Sequence, residues 1–168
     1  MSKRIESIFG IIFTDDKKQV LLIKRRDVPL WVFPGGGVEN NETPEEATIR
    51  EIQEETGLNV TIDRKVATYL PSKPFIKRTN LYACKIKSGS LKTSDEVQDV
   101  QFFPLSDFSK KIMPPPFHEF LADALKNTSP IERQITSLTP FFIAKILITH
   151  PILSARFLLS RVGLHINS

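Results

Sequence analysis

Apolar positions along the chain gather into short runs separated by turn chemistry. SIFGIIF (7–13) and QVLLIKRR (19–26) predict two strands, joined by the polar turn TDDKK with Asp15 and Asp16. LNVTIDRKVATYL (58–70), TNLYACKIKSG (79–89) and VQDVQFFPL (97–105) predict three more, the last ended by a proline. RDVPLWVFPGGG (26–37) reads as a loop, because Pro29, Pro34 and three consecutive glycines interrupt it. The basic stretch PSKPFIKR (71–78) reads as a second loop.

Two segments carry helical signals. The better marked spans residues 44–56. Thr43 is a good N-cap, Pro44 takes the first helical position, Glu46 closes a capping box and Gly57 supplies a left-handed stop. Ile49 and Ile52 are expected to face the core. PPPFHEFLADALKN (114–127) predicts a second helix entered from a proline run. From about Ser129 the character shifts, and SLTPFFIAKILITHPILSARFLLSRVGLHINS (137–168) has no acidic residue. Pro140 and Pro151 divide this tail into two expected short helices, so residues 1–127 form the expected main domain and 128–168 a helical extension.

Composition adds little until the charges are placed. The 168 residues are 40% hydrophobic and 25% charged, ordinary for one globular domain. The net charge of +4 and pI near 9.2 suit a phosphate-bearing ligand or simple solubility equally. The N-terminal segment lacks a signal-peptide pattern and no run of about 18 apolar residues occurs, so the expected compartment is the cytoplasm. The single cysteine, Cys84, sits in a predicted strand and reads as a buried structural thiol. Against this basic background, GGVENNETPEEATIREIQEETGL (36–58) holds seven glutamates. Glu51, Glu54 and Glu55 are spaced i, i+3, i+4 and share about 100° of helical arc. Like charges so placed repel, and the helix C-terminus disfavours anions further. A solvated acidic face is one reading. A hard divalent cation that turns repulsion into coordination is the other, and Mg²⁺ fits it best.

The same segment resembles the Nudix box, G-x5-E-x7-R-E-U-x-E-E-x-G-U with U a bulky aliphatic residue. Gly36, Glu42, Arg50, Glu51, Ile52, Glu54, Glu55, Gly57 and Leu58 fill every defined position. The resemblance covers roughly residues 4–125. It implies an α/β fold, an α/β/α sandwich on a mixed sheet, with the box as loop–helix–loop. It implies Mg²⁺-dependent hydrolysis (Mn²⁺ as a substitute) of a nucleoside diphosphate linked to another moiety. On these positions Glu51, Glu54 and Glu55 become metal ligands, with the Gly36 or Gly37 carbonyl as an extra one. Glu54 is the first choice for the general base and Glu51 the second. Glu42 and Arg50 become a structural pair bracing the loop against the helix. Glu96, in SDEVQDVQFF, resembles a downstream acid that serves some members as a further ligand or base; a plain turn acid is its other reading.

Substrate contacts are less visible. Lys24, Arg25 and Arg26 close a predicted strand, and Lys73, Lys77 and Arg78 lie in the basic loop; either set can meet phosphates or remain ordinary exposed cations. Phe75 is a candidate for stacking a base, and Pro74 falls near a spacing seen in some ADP-ribose-cleaving relatives. Trp31 and Phe33 are expected to pack beneath the glycine loop, and His118 and His150 have no motif around them. The expected partner is a small nucleotide-like diphosphate; the modest charge excess argues against polymeric nucleic acid. The tail fits two helices covering the domain or forming a homodimer contact, a membrane-surface segment, or a partner-docking segment. Two alternatives to the hydrolase reading stand: a hydrolase of non-nucleotide diphosphates, and a non-catalytic Nudix-type binding module.

Overall fold

The computed structural model describes residues 6–71, 77–110 and 113–137. Among these residues, seven strands and two α-helices appear in the order β1 (Glu6–Ile12), β2 (Gln19–Arg25), β3 (Trp31–Val32), α1 (Pro44–Thr56), β4 (Leu58–Leu70), β5 (Arg78–Gly89), β6 (Val97–Pro104), α2 (Pro116–Lys126) and β7 (Ile131–Gln134). A 3-10 helix, Leu105–Lys110, follows β6. One sheet has the strand order β1-β5-β4-β7 and the other β3-β2-β6. The first is mixed: β1 runs parallel to β5, β5 antiparallel to β4, and β4 parallel to β7.

Two neighbouring residues of β1 show how the helices enclose this sheet. Consecutive strand residues point to opposite faces. A Cβ on Gly10 would meet Ile52 of α1 at 2.5 Å, so that face lies against α1. Phe9 points the other way, its ring 5.1 Å from Phe117 and 5.8 Å from Phe120 of α2. The result is the expected α/β arrangement, with helices on both faces of a mixed sheet.

Helix α1 begins and ends where its caps dictate. Thr43 Oγ1 accepts from the Glu46 N–H at 3.2 Å, and Glu46 Oε2 accepts from the Thr43 N–H at 2.8 Å. Gly57 closes the helix at φ 75°, a left-handed conformation that glycine adopts without steric cost. The buried residues of α1 are Ala47, Thr48, Ile52, Glu55 and Thr56, whereas Ile49 is exposed. The expectation that Ile49 faces the core is therefore corrected: the buried stripe is rotated toward Glu55. Polar residues can occupy that stripe because Thr48 Oγ1 donates to Pro44 O and Thr56 Oγ1 to Ile52 O, which satisfies both hydroxyls within the helix.

Two strands replace expected loop or helix. Trp31–Val32 pairs with Ile23 and Lys24 inside the predicted glycine-rich loop. Ile131–Gln134 pairs with Ala67–Leu70 inside the segment expected to be helical. Arg133 fixes this strand by donating to Asp123 at 2.7 Å and Glu119 at 2.6 Å, both on α2. The two helices expected around Pro140 and Pro151 lie outside the described residues, as does His150. Phe33 is buried, its ring 5.5 Å from Phe117 and 5.8 Å from Phe108. Trp31 packs edge-on against Phe103 at 4.5 Å.

Candidate active site

A cleft of about 370 Å³ is lined by Glu39, Arg50, Glu51, Glu54, Glu55, Ser94, Asp95 and Glu96. Helix α1 supplies four of these side chains. The turn before β6 supplies three more, and Glu39 comes from the loop before α1. Six carboxylates thus share one concavity with a single guanidinium among the described lining residues.

Arg50 is the hub. Its Nε and Nη2 donate to both oxygens of Glu42 at 3.1 and 2.8 Å, a bidentate pair across the loop–helix junction. Nη1 donates to Glu51 and to Glu54, each at 3.1 Å, and Nη2 reaches the Gly37 carbonyl at 3.3 Å. The bond from Arg50 holds the Glu42 carboxyl below the ordinary carboxylate range, and Glu42 in turn raises the Arg50 pKa. The Glu39 N–H also donates to Glu42, at 2.8 Å, which ties the glutamate-rich loop to the same pair.

The three box glutamates sit in different surroundings. Glu54 is the most open, with 58% of its side chain exposed. Glu51 is partly enclosed, and burial raises its carboxyl pKa against the pull of Arg50. Glu55 is buried at 6% exposure, and burial pushes it up to about 8 although the Gly35 N–H donates to it at 2.7 Å. Glu51 and Glu96 add to that rise through like charge. Loss of water is the main cause of both rises, and repulsion among the clustered carboxylates adds to it.

The donor chemistry fits a hard cation: carboxylate oxygens, without sulfur or imidazole, line the cleft. Among the described residues no three acids, histidines or cysteines are grouped closely enough to hold a metal ion by themselves. Mg²⁺ does not need such a group, since it keeps several waters and binds through one or two carboxylates plus substrate phosphates. Gly36 contributes room: a Cβ there would stand 2.4 Å from Glu51 Oε1. Its carbonyl already accepts from the Ile8 N–H at 2.9 Å, leaving one lone pair for any further role.

The structure thus brings Glu51, Glu54, Glu55 and Glu96 together. Of the described candidate substrate cations, Lys24, Arg26, Lys77 and Arg78 are not among the residues lining this cleft. Lys24 is half-buried in β2, and Lys77 is exposed before β5. Arg78 lies 3.8 Å from Glu6 and 3.7 Å from Glu132. Arg26 donates to carbonyls of the 94–97 turn. Arg25 forms a bidentate pair with Asp27 at 2.8 and 2.6 Å. Lys73, Pro74 and Phe75 lie outside the described residues. His118 rests edge-on against Phe108 at 5.2 Å, and burial lowers its pKa. Sequence reasoning missed Glu39, Ser94 and Asp95 as lining residues; the signal for the latter two was their adjacency to Glu96.

The family model of the NUDIX domain matches residues 5–127, and the chain belongs to that family. A relative from Bacillus subtilis (strain 168), provisionally named an 8-oxo-dGTP diphosphatase, is 43% identical over 79 residues. That match spans 47% of this chain and 52% of the relative, about half of each. An ADP-ribose pyrophosphatase from Methanocaldococcus jannaschii is 36% identical over 112 residues, which are 62% of this chain and 64% of the relative. Among solved structures, an ADP-ribose pyrophosphatase from Streptococcus suis 89-1591 superposes with a TM-score of 0.63 at 22% identity. The superposition covers 79% of this chain and 99% of that one, a likeness of fold.

Proposed function

We propose that the protein is a Mg²⁺-dependent Nudix hydrolase, with Mn²⁺ as a substitute, cleaving a phosphoanhydride in a nucleoside diphosphate linked to another moiety. One observation carries the reading: Glu51, Glu54, Glu55 and Glu96, from a helix and a distant turn, line a single cleft. The named relatives support a nucleotide substrate and differ on which one, 8-oxo-dGTP or ADP-ribose. The cytoplasm is the proposed compartment.

Glu51, Glu54 and Glu55 would hold the cation, with Glu96 and the Gly36 carbonyl as further donors. When bound, such an ion neutralises phosphate oxygens and lowers the pKa of coordinated water. Glu54, the most exposed of the three, accepts the proton of the attacking water, and Glu51 is the second choice for that role. Arg50 holds Glu51 and Glu54 in place from its bidentate anchor on Glu42. The Gly35 N–H fixes the buried Glu55 carboxylate.

The test is a panel of nucleoside triphosphates including 8-oxo-dGTP, ADP-ribose, nucleotide sugars, dinucleoside polyphosphates and coenzyme A, with Mg²⁺ and product identification. Non-nucleotide diphosphates belong in the same panel. Turnover of a nucleotide substrate is expected. Tight binding without turnover across the panel would instead favour a binding module.

A further inference from the structure

Arg26 was a candidate phosphate-binding cation, and its position suggests a different task. The register of β2 against β6 shifts between Lys24 and Arg25: Lys24 pairs with Asp99 and Arg25 with Val97, so Gln98 is the extra residue of a bulge. A bulge bends the strand and re-aims the residues beside it. Here it brings Arg26 alongside the turn Ser94–Val97, which closes through the Val97 N–H donating to Ser94 O at 3.2 Å.

Arg26 grips that turn from backbone and side chain together. Its N–H donates to Glu96 O at 2.9 Å. Its Nε donates to Asp95 O at 3.1 Å, and its Nη2 lies 3.4 Å from Val97 O and 3.5 Å from Ser94 O. Four consecutive carbonyls therefore face one residue. Ser94, Asp95 and Glu96 all line the cleft opposite the helix glutamates. The planar guanidinium suits this task, because it presents several donors in a fixed fork, whereas lysine offers one compact ammonium.

We infer that Arg26 is a positioning residue, whose guanidinium holds the 94–97 turn so that Glu96 is presented to the cleft. The inference rests on the hydrolase reading only for its kinetic consequence; the grip itself is tested separately.

The experiment compares Arg26→Lys, Arg26→Ala, Glu96→Gln and the double variant Arg26→Ala/Glu96→Gln in the full chain. Hydrogen exchange is followed on a peptide spanning the turn, and kinetics on whichever panel substrate turns over. Both Arg26 variants should exchange faster in the turn by about tenfold, from loss of local protection, while Glu96→Gln leaves exchange unchanged. In kinetics, Lys should fail to rescue: both variants lose about ten- to a hundredfold in kcat, the scale expected for a misplaced catalytic group, with KM within about twofold. In the Glu96→Gln background Arg26→Ala should cost nothing further. Unchanged exchange in Arg26→Ala would overturn the inference whether or not any substrate is hydrolysed. So would restoration by Lys with a raised KM in Arg26→Ala, since a phosphate-binding charge would behave that way. If no substrate turns over, the hydrolase reading fails and exchange alone decides the inference.

Discussion

Gly36 and Glu51 stand so close that the Glu51 carboxylate occupies the space a side chain at Gly36 would need: a Cβ there would lie 2.4 Å from Oε1 and 2.6 Å from Cδ. A side chain at Gly36 would therefore push the flexible end of Glu51 out of its place. The neighbouring Gly37 would have nothing within 4 Å of its own Cβ.

The contrast gives a paired prediction. Gly36→Ala displaces Glu51 and should cut kcat by about a hundredfold, the scale of a 1 Å misplacement. Gly37→Ala should retain activity within a few-fold, as steady-state kinetics on the same substrate will show.

Glu55 sits on the buried stripe of α1, with its carboxylate accepting from Gly35. Glu55→Gln keeps an acceptor for that N–H and removes a buried like charge. Metal-free Glu55→Gln should therefore be more stable than the parent at pH 8, by about 1–2 kcal/mol, while hydrolysis is lost. Thermal melts in chelator, beside activity assays in Mg²⁺, will show whether stability and activity move in opposite directions.

Acid stability has a source far from the cleft. Burial alone would raise the Glu119 pKa, but bonds from Ser137, Thr136 and Arg133 outweigh it and hold the carboxyl below its ordinary value. The folded pKa lies below the unfolded one, so this stabilisation is present above about pH 4.5 and is lost as pH falls through the folded value. Glu119→Gln should flatten that part of the stability profile between about pH 5 and 3, and cost about 1 kcal/mol at pH 7. Urea midpoints across the pH range measure both.

Cys84 is buried in β5, and burial pushes its thiol up to about 12. An aromatic disulfide reagent should leave it unmodified in the native protein at pH 8 and react at once in denaturant. Fast native labelling would contradict the placement.

The bounds of α1 were legible because its signals are local. Thr43, Pro44, Glu46 and Gly57 act within a turn of themselves, and the helix runs Pro44–Thr56 as they require. The strands β4 and β5 were legible as long uninterrupted runs. What escaped depends on distant partners. Residues 131–134 have modest apolar content and become a strand by pairing with β4 and by Arg133 reaching α2. The two-residue β3 likewise exists only beside β2. Periodicity placed Glu51, Glu54 and Glu55 on one side of α1 but not the rotation that buries Glu55 and exposes Ile49, because Thr48 and Thr56 hide their polarity in bonds within the helix. Glu96 could be named from sequence, yet its approach to the cleft depends on the turn that Arg26 holds.

The most direct test of the proposed active site compares Glu54→Gln with the parent on whichever nucleotide substrate the panel identifies, with Mg²⁺ at saturation. Loss of the proposed proton acceptor should lower kcat by about 10²–10⁴-fold with an unchanged melting profile. An intact fold with undiminished hydrolysis would contradict the assigned site.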